Sequence, residues 1–209
     1  MKPRFVRFSE VHNPEQYVDD VIPWMHEAGN PFYDWLYGGP QATREILREM
    51  LLRRTSEMWI GRASLLLDGA TAVGGFFATD GEALTRCVSA DMVALLRRMP
   101  AKERADFTAR TKAALSVFPP VDADQYYLSS VGVRADCRGR GFGRRLVKEF
   151  LAQGRDAGFQ RFRLNVSADN QPAVELYRSF GFEPVGQYMT AEDRQEYYIM
   201  AAELPTERS

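Results

Sequence analysis

The sequence predicts a mixed α/β protein, and three observations carry that prediction. Short runs alternate apolar and polar residues as strands do, longer runs place apolar residues every three or four positions as helices do, and the two kinds interleave along the chain. At the centre, an apolar strand passes through a glycine-rich turn straight into an amphipathic helix, and a further strand follows. With 209 residues, 45% of them hydrophobic, the chain can form one large domain around a buried core. It contains no internal repeat, low-complexity tract or Gly/Ser linker, so residues 1–209 read as one domain.

Arg4 to Phe8 alternate like a short strand. Asn13-Pro14 then opens a helix whose inner stripe is Tyr17, Val18, Val21, Ile22 and Met25, ending near "EAGNP". "NPFYDWLYGGP" reads as an aromatic loop, followed by a helix of about a dozen residues with Ile46, Met50 and Leu51 on one side. Residues 58–81 form two strands folded on the Asp68-Gly69 turn. From Ser89 to Phe118 the pattern is helical, broken at Pro100 and stopped by Pro119-Pro120, which predicts a helical insertion over about 89–118, ahead of the next strand. "QYYLSSVGV" is a central strand, "GRRLVKEFLAQGRDAG" a helix, and "FQRFRLNVS" a strand. "NQPAVELYRSFGF" is a short helix with Pro in its first turn and a Gly stop, and "PVGQYMT" with "EYYIMAAEL" makes a closing antiparallel pair.

Net charge is −1 and the sequence pI is about 6.2, so a global nucleic-acid footprint is excluded as the main function. Cys87 and Cys137 have neither metal-ligand spacing nor a secreted disulfide pattern, which points to free thiols in a reducing cytoplasm and to no bound metal. The N-terminal "MKPRFVRFSEVHN" lacks the roughly 7–15 apolar residues of a signal peptide core. Charges also interrupt every apolar run before the ~18 residues a membrane span needs. The expectation is a soluble cytoplasmic protein without membrane or nucleic-acid partners.

"ADCRGRGFGRRL", residues 135–146, is the most informative stretch. Taken alone it reads as a solvated basic turn, an RNA-binding arginine patch or a phosphate cradle. Glycines without Cβ atoms let the backbone approach a ligand, and a helix start offers unpaired N–H groups and positive charge. Arg138, Arg140, Arg144 and Arg145 surround that point. The Walker loop's Gly-Lys-Ser/Thr ending is absent, and Arg144 stands where a dinucleotide fingerprint needs its third glycine. The spacing does match Arg-x-x-Gly-x-Gly, through Arg138, Gly141 and Gly143. A second segment, Asn170 to Phe182, matches Asn-x-x-Ala followed by Tyr-x-x-x-Gly-Phe. Over roughly residues 125–185 the sequence therefore resembles the GNAT superfamily of acyl-coenzyme-A-dependent N-acyltransferases.

That resemblance implies a mostly antiparallel sheet of about six to seven strands with helices on both faces, and the insertion before the fourth strand. It also implies acetyl coenzyme A as cofactor. Its diphosphate would lie on Arg138, Gly139, Arg140, Gly141, Phe142, Gly143 and Arg144, its pantetheine arm along Val131 and Val133, and Asn170 would contact it. Tyr177 takes the role of general acid for the departing thiolate. Read without the family, Asn170 is a helix N-cap, and Tyr177 shares a core stripe with Ala173, Val174 and Phe180. Several family members place a Glu or His before the glycine turn, but here the stretch is Tyr127-Leu128-Ser129-Ser130, so no base is assigned. Asp80, Glu82 and Asp124 are the acids near predicted strand ends, with a solvated role as the plainer reading.

On the acceptor side, Phe32, Tyr33, Trp35 and Tyr37 either line an apolar or cationic pocket or anchor their own loop. The insertion either covers that pocket or forms a homodimer surface. The functional expectation is transfer of acetyl to a primary amine on a small molecule, with two alternatives: a non-catalytic coenzyme-A-binding module, or an acetyltransferase of proteins or peptides.

Overall fold

The computed structural model describes residues 3–7, 13–190 and 195–204. Its seven strands are β1 (Arg4–Arg7), β2 (Ser64–Asp68), β3 (Thr71–Asp80), β4 (Gln125–Val133), β5 (Arg161–Ser167), β6 (Glu183–Met189) and β7 (Glu196–Glu203). They form one sheet in the order β1-β2-β3-β4-β5-β7-β6, antiparallel throughout except where β4 and β5 run parallel. Seven helices accompany it: α1 (Val18–Gly29), α2 (Phe32–Tyr37), α3 (Pro40–Leu52), α4 (Gly81–Arg98), α5 (Ala101–Val117), α6 (Phe142–Asp156) and α7 (Gln171–Arg178). Phe8, expected in the first strand, lies outside the described residues.

Strand alternation divides the core between the two faces of the sheet. Leu65, Leu67, Ala72 and Phe77 join the cluster built with α1 to α5, while their neighbours Leu66, Val73 and Phe76 join the cluster built with α6 and α7. Helix α6 packs through Leu146, Val147, Phe150 and Leu151, all buried. Each such side chain contributes about 1.5–3 kcal/mol by leaving water. Helices therefore flank both faces of the mixed, mostly antiparallel sheet, as the sequence predicts.

Two boundaries differ from the sequence reading. The aromatic stretch is helical over Phe32–Tyr37, because its rings pack on one another and on α5: Tyr37 stacks on Phe107 at 6.4 Å and Phe32 meets Trp35 at 5.7 Å. The helical insertion begins at Gly81 instead of Ser89. Asp80 starts it, accepting the Ala83 N–H at 2.7 Å, so this acid is a helix cap.

The feature that positions the site is a split in the middle of the sheet. β4 and β5 pair only from Gln125 to Leu128 against Arg161 to Leu164. At that point the β3–β4 register slips: Phe77 faces Ser130 and Ala78 faces Leu128, which leaves Ser129 as an extra residue in β4. A bulge of this kind bends the strand, and here it turns β4 away from β5. Beyond the bulge the Arg134 N–H donates to the Val73 carbonyl at 3.0 Å, so Gly132 also faces β3. By alternation the N–H groups of Val131 and Val133 face the opening.

Candidate active site

The opening between β4 and β5 widens into a cleft of about 930 Å³, floored by α6 and α7. Gly141 precedes α6 in the left-handed region at φ 76°, where other residues are strained. No side chain caps this helix start, whereas Asp80 and Asn170 cap those of α4 and α7, and no acid lies in its first turn. The N–H groups of the first α6 turn, up to Arg144, remain available at the positive end of a 15-residue helix.

The four arginines separate. Arg138 and Arg144 line the cleft, as do Gly139, Gly141, Phe142 and Gly143. The Arg138 Nε donates to the Val133 carbonyl at 3.2 Å and its far end pairs with Glu27 at 2.6 Å, while Arg144 donates to the Ser179 hydroxyl at 3.1 Å. The Arg140 side chain lies elsewhere: it turns to Asp68 at 3.5 Å and over the Phe142 ring, so as a side chain it does not line the cleft. Arg145 likewise turns away, donating to the Pro3 carbonyl at 2.6 Å.

Asn170 is the N-cap of α7, its Oδ1 accepting the Ala173 N–H at 3.3 Å, and it also lines the cleft. The cap reading is thus met, at a residue that faces the cleft. Tyr177 is 6% exposed, packs edge-on against Phe182 at 6.0 Å, and lines the cleft too. Burial raises its hydroxyl above the ordinary tyrosine range, so it keeps its proton at any working pH.

A second cavity of about 820 Å³ adjoins the cleft beneath α2, α4 and α5. Ala28, Gly29, Tyr33, Ser129, Asn165 and Tyr197 line both spaces and form their common boundary. Phe32 and Tyr33 contribute to the second cavity, whereas Trp35 does not and packs behind Phe32. The acids expected near strand ends are placed elsewhere. Glu82 pairs with Arg86 on the exposed side of α4, Asp124 pairs with Arg161 at 2.7 Å, and neither lines a cavity.

Two acids do line the second cavity, Glu57 and Asp91, and sequence reasoning passed over both. Glu57, in the segment between α3 and β2, is 7% exposed, and its Oε1 has no hydrogen-bond partner among the described residues. Burial lifts its carboxyl from 4.5 to about 7; the nearby Ser129 hydroxyl pulls it down, the Asp91 charge adds to the rise, and Arg62 opposes it. The segment is fixed by Asp91 on α4, which accepts from the Ser56 hydroxyl at 3.0 Å, from the Glu57 N–H at 3.2 Å and from Arg53. The only sequence signal was an acid inside "SEMWI", flanked by large apolar residues.

Residues 101–182 match the model of the Acetyltransferase (GNAT) family. The N-alpha-acetyltransferase RimI of Mycobacterium tuberculosis is 39% identical over 74 residues, 35% of this chain and 41% of that protein. The mycothiol acetyltransferase of Thermobifida fusca is 49% identical over 53 residues, 25% of this chain and 16% of that protein. The chain thus spans less than half the length of these two relatives. An N-acetyltransferase structure from Staphylococcus aureus Mu50 shares the fold, with a TM-score of 0.68 at 15% identity over 95% of this chain and 100% of that one.

Proposed function

For this member of the GNAT acetyltransferase superfamily, we propose transfer of an acetyl group from acetyl coenzyme A to a primary amine on a small molecule, by direct attack on the thioester. The observation that carries the reading is that a cleft with an uncapped helix start opens, across Ser129, into an aromatic cavity. One side suits an anionic cofactor and the other an organic acceptor.

The residues present fit the cofactor. The first-turn N–H groups of α6, with Arg138 and Arg144, would hold the diphosphate, and the outward N–H groups of Val131 and Val133 would pair the pantetheine arm. Acetyl coenzyme A supplies an acetyl group already activated as a thioester. A strand N–H near Val131 would stabilise charge developing on the thioester oxygen. Tyr177 would give its proton to the sulfur as the C–S bond breaks. Both cysteines are buried free thiols, which supports a reducing, cytoplasmic setting.

The aromatic lining supports a small acceptor over a peptide lying in an open groove. The test is to incubate purified protein with acetyl coenzyme A and a panel of small primary amines and short peptides with free N-termini, following free thiol. Release with small amines is the expected outcome. Release with peptides alone would move the acceptor to protein N-termini, and cofactor binding with no release would leave a binding module.

A further inference from the structure

We propose that Glu57 is the group that takes the proton from the acceptor amine, a role that rests on the acetyltransferase reading above. Its placement is the argument. The amine must reach the thioester at the boundary between the two cavities, and Ser129, at that boundary, lies beside the Glu57 carboxyl. The carboxylate is buried with Oε1 unpartnered, and such an atom is costly unless a donor arrives. A primary ammonium is such a donor, and it brings a countercharge as well.

The acids that line the cleft among the described residues are engaged: Glu27 pairs with Arg138 at 2.6 Å, and Asp169 accepts from the Gln195 amide at 3.0 Å. His26, the only histidine among the described residues, bonds Asp34 at 2.6 Å and lines neither cavity. Asp91 lines the acceptor cavity but is committed to Arg53, Ser56 and the Glu57 N–H. Around Glu57 stand Asp91 from α4, Arg62 from the turn before β2, Tyr33 and Tyr37 from α2, and Tyr127 from β4. The tyrosines are held protonated by burial, which leaves Glu57 as the group that titrates near neutral pH.

The proton count closes. Glu57 takes one proton from the ammonium and frees the nitrogen lone pair, which forms the C–N bond. The C–S electron pair leaves with sulfur, which takes the Tyr177 proton, and the second nitrogen proton restores Tyr177. Glu57 then returns its proton to solvent, so one amide, one thiol and one proton are produced per acetyl transferred.

The experiment compares wild type with Glu57→Gln, measuring thiol release against pH with the best small amine. Wild-type kcat/KM is expected to rise and level off above about pH 7. The variant is expected to fall about 100-fold or more, the range of general-base catalysis, to lose the limb near 7, and to keep the acetyl coenzyme A KM within about threefold. Glu57→Asp, with its carboxylate withdrawn by one methylene, is expected to keep a limb at a displaced pH with an intermediate rate. An active wild type whose rate and limb survive unchanged in Glu57→Gln would overturn the assignment alone. A wild type that releases no thiol with any amine would overturn the acetyltransferase reading and this role with it.

Discussion

Replacing Glu57 by Gln is expected to stabilise the protein, and to do so more strongly as pH rises. The carboxyl holds its proton up to about pH 7 in the folded chain, against about 4.5 when unfolded, because burial penalises the charged form. Between those two values the folded state binds more proton than the unfolded state, so stability falls with increasing pH. The contribution is fully present below about pH 4.5 and is lost by the time pH passes 7. Converted at about 1.4 kcal/mol per tenfold change in proton affinity, the loss is about 3 kcal/mol. A glutamine has no proton to lose. The difference in unfolding free energy, variant minus wild type, should therefore grow by about 3 kcal/mol between pH 4.5 and 8, or roughly 6–12 °C in melting temperature for a chain of this size. Urea unfolding of both proteins across that range measures it, and contributions from every other titrating group cancel in the difference. A difference constant to within about 0.5 kcal/mol would refute the burial argument, whatever the variant's activity.

Three further outcomes follow from the same geometry. Asp91→Ala leaves Arg53 without its buried partner and frees the segment carrying Glu57, at an expected cost of about 3–5 kcal/mol in chemical denaturation; a loss under ~1 kcal/mol would show that Asp91 does not anchor it. Tyr177→Phe should lower kcat by about 10- to 100-fold while the acetyl coenzyme A KM moves less than about threefold, and unchanged turnover would remove Tyr177 from the chemistry. Arg138→Ala and Arg144→Ala should each weaken acetyl coenzyme A binding by calorimetry about five- to tenfold, roughly 1 kcal/mol, and Arg140→Ala should leave it unchanged. Equal losses for all three would mean that the arginines act as a diffuse charge.

What was legible in the sequence is what a short stretch can specify by itself. The Asp68-Gly69 hairpin, the glycine turn into α6, and the Asn170 cap each depend on neighbours within a few residues. The start of the insertion was missed although Asp80 carries the cap signal, because a glycine after an acid reads equally as a turn. Glu57 was missed for a different reason. Its burial is produced by α4 bringing Asp91 onto a segment far away in the chain, and no local pattern encodes that meeting. Arg140 likewise looks the same as Arg138 and Arg144 in sequence, and only the placement of Asp68 decides which way it turns.

The extra residue at Ser129 also sets the phase of β4. Tyr126 and Leu128 pack toward α6 and α7, and so do Val131 and Val133, although an unbroken strand would put those two pairs on opposite faces. The slip keeps both halves greasy side down while Gly132 turns to Trp24 of α1, where any Cβ would come within 2.6 Å of the indole. This stretch is therefore constrained in count more than in identity. Losing residue 129 would leave Leu128 and Ser130 opposite Ala78 and Phe77 in plain alternation, with both valines still on their core face. It would, however, remove the bend that parts β4 from β5 and with it the opening onto which the Val131 and Val133 amides face.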